Sequence, residues 1–293
     1  WVCPDANGIE CLNAGDFNYV KIKTNADNYI FGFGISSEFH NTPIESQIDY
    51  AFTKTMEILN AENLDFSNVI RQWNYVPGIT GFIERGNKTL QNYQVFNEIR
   101  QSNYSACNFD NGYPSATGIG TGFGNFCIDF IASASNNPIN IKPLSNPKQS
   151  DAYKYSQDKL IGDRINGTLK MAPLFERAKI VEDEDFNTIF ISGTASITGE
   201  ETIGIGNIVL QTETTIDNIS ELTSEIKHKY DSLYTYVRAY IKYEKDLDTV
   251  KSICEKKFPG VKTVYLKSDI CREDLLVEIE TALVQKKIET NLN

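Results

Sequence analysis

The chain has 293 residues, of which 41% are hydrophobic and 23% charged, with a formal net charge of −11. That composition supports a packed core and excludes a disordered chain, and an acidic balance without a basic stripe excludes a nucleic-acid binder. No apolar run of about 18 residues occurs, so no membrane span is expected. The chain begins at Trp1, so a preceding segment is expected, and no apolar signal-peptide core is visible. In chain order, strands are predicted at 17–23 and 28–35. A helix over 43–60 carries Ile44, Ile48, Phe52, Met56 and Leu59 on one stripe. A strand at 68–76 and a helix near 88–102 (Leu90, Tyr93, Phe96, Ile99) follow, then strands at 116–121 and 126–133. The Asn-, Pro- and Ser-rich stretch 135–150 is expected to connect two halves, and 151–172 to wrap irregularly around a site. Beyond it come strands at 187–197 and 204–212, a helix at 216–229, a strand at 234–243 and a helix at 246–258 stopped by Pro259-Gly260. Strands at 262–267 and 274–281 finish the chain. The two halves echo one another, which predicts a duplicated α/β (α+β) fold.

The last strand puts Leu275, Val277 and Ile279 on one face, and Leu276, Glu278 and Glu280 on the other. By alternation alone it is a half-buried edge strand whose glutamates meet water. With only His40 and His228 available, a histidine-based triad or an iron facial triad is poorly supplied. The six cysteines are scattered with no C-x-x-C pair, so no zinc site is expected and a reducing cytoplasm is the default. No metal or cofactor is expected.

Several stretches are more specific than plain scaffold. Q-W-N-Y-V-P-G-I (72–79) ends a strand in a Pro-Gly turn. Y-Q-V-F-N-E-I-R (93–100) places Tyr93, Asn97 and Arg100 on one helix face. P-S-A-T-G-I-G (114–120) lacks the G-K-[ST] of a phosphate loop, so Thr117 and nearby backbone N–H groups are expected to face a ligand. N-P-K-Q-S-D-A-Y-K-Y (146–155) and A-P-L-F-E-R-A (172–178) offer Tyr153, Tyr155 and Arg177 as a polar, aromatic wall. I-S-G-T-A-S-I-T-G-E-E-T (191–202) and C-R-E-D-L-L-V-E-I-E (271–280) complete the set.

Taken in order, six of these stretches, all but A-P-L-F-E-R-A, resemble the chorismatases, a family within the wider RidA (YjgF) fold group. The resemblance implies two RidA/YjgF-like domains, each a mixed β-sheet with helices packed on one face. Residues 1–145 would form a degenerate N-terminal domain and 146–293 the C-terminal one. It implies one cofactor-independent site in which chorismate, a dicarboxylate bearing an enolpyruvyl ether, is cleaved with release of pyruvate. Glu278 takes the position of the catalytic acid. Cys271 and Gly193 resemble the subgroup that forms 3-hydroxybenzoate rather than a dihydroxycyclohexadiene carboxylate. Arg100, Arg177 and Arg272, with Tyr93, Tyr153 and Thr117, are the expected substrate-binding residues. The acid must be neutral before reaction, so Glu278 should sit against apolar surface with the arginines aimed at the substrate. One departure is that G-E-E-T (199–202) stands where G-H-E-T is expected, which puts Glu200 in place of a histidine. A RidA-like enamine or imine hydrolase and a non-catalytic binder of small carboxylates are the competing readings. A cytoplasmic monomer or small homo-oligomer, such as a trimer, is expected, with no nucleic-acid or membrane partner.

Overall fold

The computed structural model describes residues 6–24, 27–38, 42–134, 140–164, 167–182, 186–224 and 232–286; His40, His228 and the expected helix's end at 225–229 lie outside them. The first half runs β1 (Gly8–Ala14), β2 (Phe17–Lys23), β3 (Asn28–Ser36), α1 (Ile44–Ala61), β4 (Val69–Pro77), the hairpin β5–β6 (Phe82–Arg85, Lys88–Gln91), α2 (Asn92–Tyr104), β7 (Ser115–Thr121) and β8 (Cys127–Ser133). The second runs β9 (Asn140–Leu144), β10 (Ala178–Glu182), β11 (Phe186–Ala195), the short pair β12–β13 (Ile197–Thr198, Glu201–Thr202), α3 (Ile208–Leu222), β14 (Ser232–Ile241), α4 (Leu247–Lys257), β15 (Thr263–Lys267) and β16 (Val277–Lys286).

Two six-stranded sheets result, with orders β1-β2-β3-β8-β4-β7 and β9-β10-β11-β16-β14-β15. Strand for strand the two orders follow the same path. In each, one pair is parallel, β4 with β7 and β14 with β15, joined across α2 and α4. The expected duplication is therefore present in the topology. Each helix pair covers one face of its own sheet. Ile48, Phe52 and Leu59 of α1 are fully buried with Phe96 of α2, and Ile216 and Ile219 of α3 with Val250 and Cys254 of α4. The helix-free faces meet each other through Ile70, Trp73 and Ile131 on one side and Val181, Phe190 and Ala282 on the other. A side chain on the helix-free face of a central strand is thus removed from water from both directions.

Four expectations are corrected. Residues 208–212, expected as the end of a strand, open α3. Asn207 caps it by accepting from the Leu210 N–H, and the buried residues of its first half are polar (Gln211, Thr212, Thr215), which hides the helical period ahead of Ile216. The connection 135–150 contains β9, which pairs with β10 at the edge of the second sheet. The helix expected from 88 starts at 92, after the β5–β6 hairpin. The last strand starts at Val277 and is central, between β11 and β14, so its glutamates do not meet water. Residues 271–275 form a turn, closed by Leu275 N–H to Arg272 O, so Arg272 does not extend the strand.

Candidate active site

The two sheets meet where β7 of the first half passes β11 of the second. Ala116 N–H donates to Ser192 Oγ at 2.8 Å, and Gly193 N–H to Thr117 Oγ1 at 3.0 Å. A cavity opens beside this seam. The first half contributes Tyr93, Asn97 and Arg100 from α2. The second contributes Gly193 from β11, Cys271 and Arg272 from the turn before β16, and Glu278 from β16. The irregular segment that follows β9 closes it with Tyr155, Lys159, Met171, Phe175 and Arg177. The expectation that 151–172 wraps a site is met.

Glu278 is only 5% exposed. Burial, and then the negative charge of Glu280, push its carboxyl up to about 8, against the pull of Arg71 and Arg177. At neutral pH it is therefore mostly a neutral acid. Gly193 makes room for it. A methyl group built on Gly193 would overlap Glu278 Oε1 and stand 2.9 Å from Cδ. Cys271 is half-buried nearby, and burial followed by the charge of Glu278 pushes its thiol up to about 12, so it is not a thiolate nucleophile.

Three guanidiniums face the cavity. Arg100 is buried, donates to Asn97 Oδ1 at 2.6 Å and lies 4.6 Å from the Phe96 ring. Burial lowers its affinity for its proton, and the Tyr93 hydroxyl hydrogen-bonded to it works the other way. Arg177 donates to Ser150 O at 2.5 Å and to the Tyr155 hydroxyl at 2.9 Å. Arg272 donates to Glu200 O at 2.8 Å and stacks 5.2 Å from the Tyr155 ring. Arg100 Nε, Arg177 Nε and Arg272 Nη2 are buried without a hydrogen-bond partner. Among the described residues none of the three arginines is in a salt bridge. Cations left with neutral partners and free donors are suited to carboxylates brought by a ligand.

Seven of the nine expected site residues come together here: Glu278, Cys271, Arg272, Arg177, Arg100, Gly193 and Tyr93. Thr117 and Tyr153 do not line the cavity. Thr117 turns its hydroxyl to Glu280 at 2.5 Å, on the far side of the β7 strand. Tyr153 packs on Tyr113 at 5.5 Å and donates to Asp151, with Tyr155 taking the place on the wall. Lys159, ion-paired to Glu201 at the rim, was not anticipated; a lone lysine in an irregular stretch carries no periodic signal.

A sequence family described as Chorismatase FkbO/Hyg5-like, N-terminal, matches residues 9–132. A 3-hydroxybenzoate synthase of Streptomyces hygroscopicus is 32% identical over 246 residues, covering 78% of this chain and 67% of the relative. This chain belongs to the chorismatase family. A chorismatase of Streptomyces rapamycinicus is 31% identical over 229 residues, 74% of this chain and 64% of the relative. The chain thus spans about two thirds of the length of these curated relatives. A solved chorismatase structure superposes with a TM-score of 0.73 at 24% identity, covering 94% of this chain and 79% of the other, which shows the shared fold. Within this chorismatase fold the Glu200 departure is turned aside from the cavity. Its carboxylate accepts from the Ser156 N–H at 3.0 Å and the Ser156 hydroxyl at 2.5 Å, so it holds the wrapping segment.

Proposed function

We propose that the chain cleaves the enolpyruvyl ether of chorismate to pyruvate and 3-hydroxybenzoate. The observation that carries this reading is the pairing of opposites in one cavity: three arginines without a carboxylate partner among the described residues, facing a buried carboxyl that keeps its proton. The arginines would hold the two carboxylates of the substrate and so place the enol ether against Glu278.

Neutral Glu278 gives its proton to the terminal methylene carbon, and an oxocarbenium ion forms at the ether carbon. The neighbouring ring hydroxyl oxygen then attacks the ring carbon that bears the ether. The ring C–O bond breaks, its electron pair becomes the keto group of pyruvate, and the hydroxyl proton returns to Glu278. The resulting ring epoxide opens at its other C–O bond and loses a ring proton to give 3-hydroxybenzoate, with no water consumed. In a hydrolytic route, water would instead add to the oxocarbenium carbon and the hemiketal would collapse to pyruvate and a non-aromatic diol. Gly193 and Cys271, together with the similarity to a protein named 3-hydroxybenzoate synthase, favour the first route.

The same proposal includes two RidA-like units, divided between 134 and 140 where sheet membership changes, a few residues ahead of the 145/146 division expected. It also includes a cytoplasmic location and a monomeric or small-oligomeric state. No helix among the described residues is long and apolar enough to cross a membrane. Incubation of the purified protein with chorismate, with pyruvate measured and the ring product identified, tests the reading. Pyruvate with 3-hydroxybenzoate is expected. Pyruvate with the diol would overturn the subgroup, and absence of pyruvate would overturn the activity in favour of another RidA-like substrate or a binding role.

A further inference from the structure

The proposed reaction sets two demands that conflict. Cations are needed for a dianionic substrate, yet cations beside Glu278 would strip it of the proton it must donate. Arg71 and Arg177 both act on Glu278 in that direction. The structure places one carboxylate against them. Glu280 lies two residues along β16 on the same face as Glu278 and is fully buried. It does not line the cavity. Four side chains from three other strands hold it: Arg71 at 2.7 Å and Trp73 Nε1 at 2.9 Å from β4, Thr117 Oγ1 at 2.5 Å from β7, and Arg238 at 2.9 Å from β14. Arg71 also donates to Thr117 Oγ1 at 2.6 Å, and Thr117 in turn accepts from Gly193, the residue packed on the Glu278 carboxyl.

We propose that Glu280 is a positioning residue for the acid: clamped behind the cavity by Arg71, Arg238, Thr117 and Trp73, its fixed negative charge offsets the nearby arginines and keeps Glu278 in the proton-donating form. This rests on the reading of Glu278 as the acid of an enol-ether cleavage. The groups facing Glu278 are Arg71 from β4, Tyr93 and Arg100 from α2, Tyr155 and Arg177 from the wrapping segment, Tyr240 from β14, and Cys271 and Arg272 from the turn before β16. Those facing Glu280 are Arg71, Arg238 and the hydroxyls of Tyr75, Tyr236 and Tyr240. Of the charges that act on Glu278, Glu280 is the negative one. A clamp that served only to join the two halves would not need its charge aligned with the acid.

The test compares wild type, Glu280→Gln and Arg238→Gln by two readouts. One is the pH profile of kcat/KM for pyruvate release. The other is the infrared band of the protonated Glu278 carboxyl in the free protein, assigned by its loss in Glu278→Gln. Glu280→Gln is expected to move the alkaline inflection and the band's titration down by about 1 pH unit or more, with an approximately tenfold loss of rate above both inflections. Arg238→Gln, which removes a cation from the half-exposed end of the network, is expected to move both upward. Unmoved inflections in a folded Glu280→Gln would overturn the proposal and leave a purely structural clamp. If Glu280→Gln does not fold, the Arg238→Gln titration decides by the same rule. If wild type releases no pyruvate, the proposed activity fails, while the infrared titration still tests whether Glu280 holds the proton on Glu278.

Discussion

Gly193→Ala is the sharpest perturbation of the site. Gly193 does not have a left-handed φ, so alanine is acceptable to the backbone, and the consequence is one of space. The new methyl would overlap Glu278 Oε1 and stand 2.9 Å from Cδ and 3.1 Å from Thr117 Cγ2. Ordinary carbon contacts sit at about 3.5–4.0 Å, so the carboxyl must retreat by about 1 Å. A misplacement of that size costs on the order of 100-fold in rate, about 2.7 kcal/mol of barrier. The fold should lose less than a core substitution would, because the atom that yields is the end of a flexible side chain. Over-packing of this kind costs about 1–3 kcal/mol. Steady-state pyruvate release and thermal unfolding, measured on the same preparation, separate the two effects. A Gly193→Ala protein with kcat within about twofold of wild type would refute the placement of the acid against this glycine.

Other outcomes follow from the same geometry. Arg272→Met and Arg177→Met should each raise KM for chorismate by about tenfold to 100-fold, the worth of a charge-assisted hydrogen bond, while the proteins stay folded by circular dichroism. The folded protein holds the Glu278 proton up to about pH 8, whereas an unfolded chain releases it near 4.5. Stability from this group is thus present at low pH and is lost as pH rises between those values, by at most ~1.4 kcal/mol per pH unit. Glu278→Gln should flatten that slope, so its advantage in Tm over wild type grows from about pH 5 to about pH 8 and then levels. Cys271→Ala should leave pyruvate release within about tenfold of wild type while changing the ratio of aromatic to diol product by chromatography, because a thiol that titrates near 12 shapes the pocket rather than attacking.

Local pattern made most elements legible. The stripe Ile44, Ile48, Phe52 and Leu59 marks α1, and the alternation of Tyr234 to Ile241 marks β14. What escaped was set by distant partners. The polar groups on the buried face of α3 satisfy its neighbours, with Gln211 accepting from Leu276 N–H and Asn218 donating to Ala195 and Ile197 O, so the apolar period of Ile216, Ile219 and Leu222 does not extend back into its first two turns. The glutamates of β16 alternate like those of an edge strand, because burial on that face comes from the other sheet and not from the strand itself. The arginines on α2 and in the turn before β16 were legible through their motifs. Thr117 was legible as important but not in direction, since only the fold shows its hydroxyl reaching back to Glu280. Arg71 and Arg238, about 170 residues apart in the chain, meet at Glu280 only through the stacking of the two sheets.

The most direct measurement is the initial rate of pyruvate release from chorismate by wild type and Glu278→Gln side by side at neutral pH. The account predicts turnover by wild type and a loss of at least about 100-fold in the glutamine variant, with chorismate still bound. Equal rates in the two proteins would contradict the assignment of Glu278 as the acid.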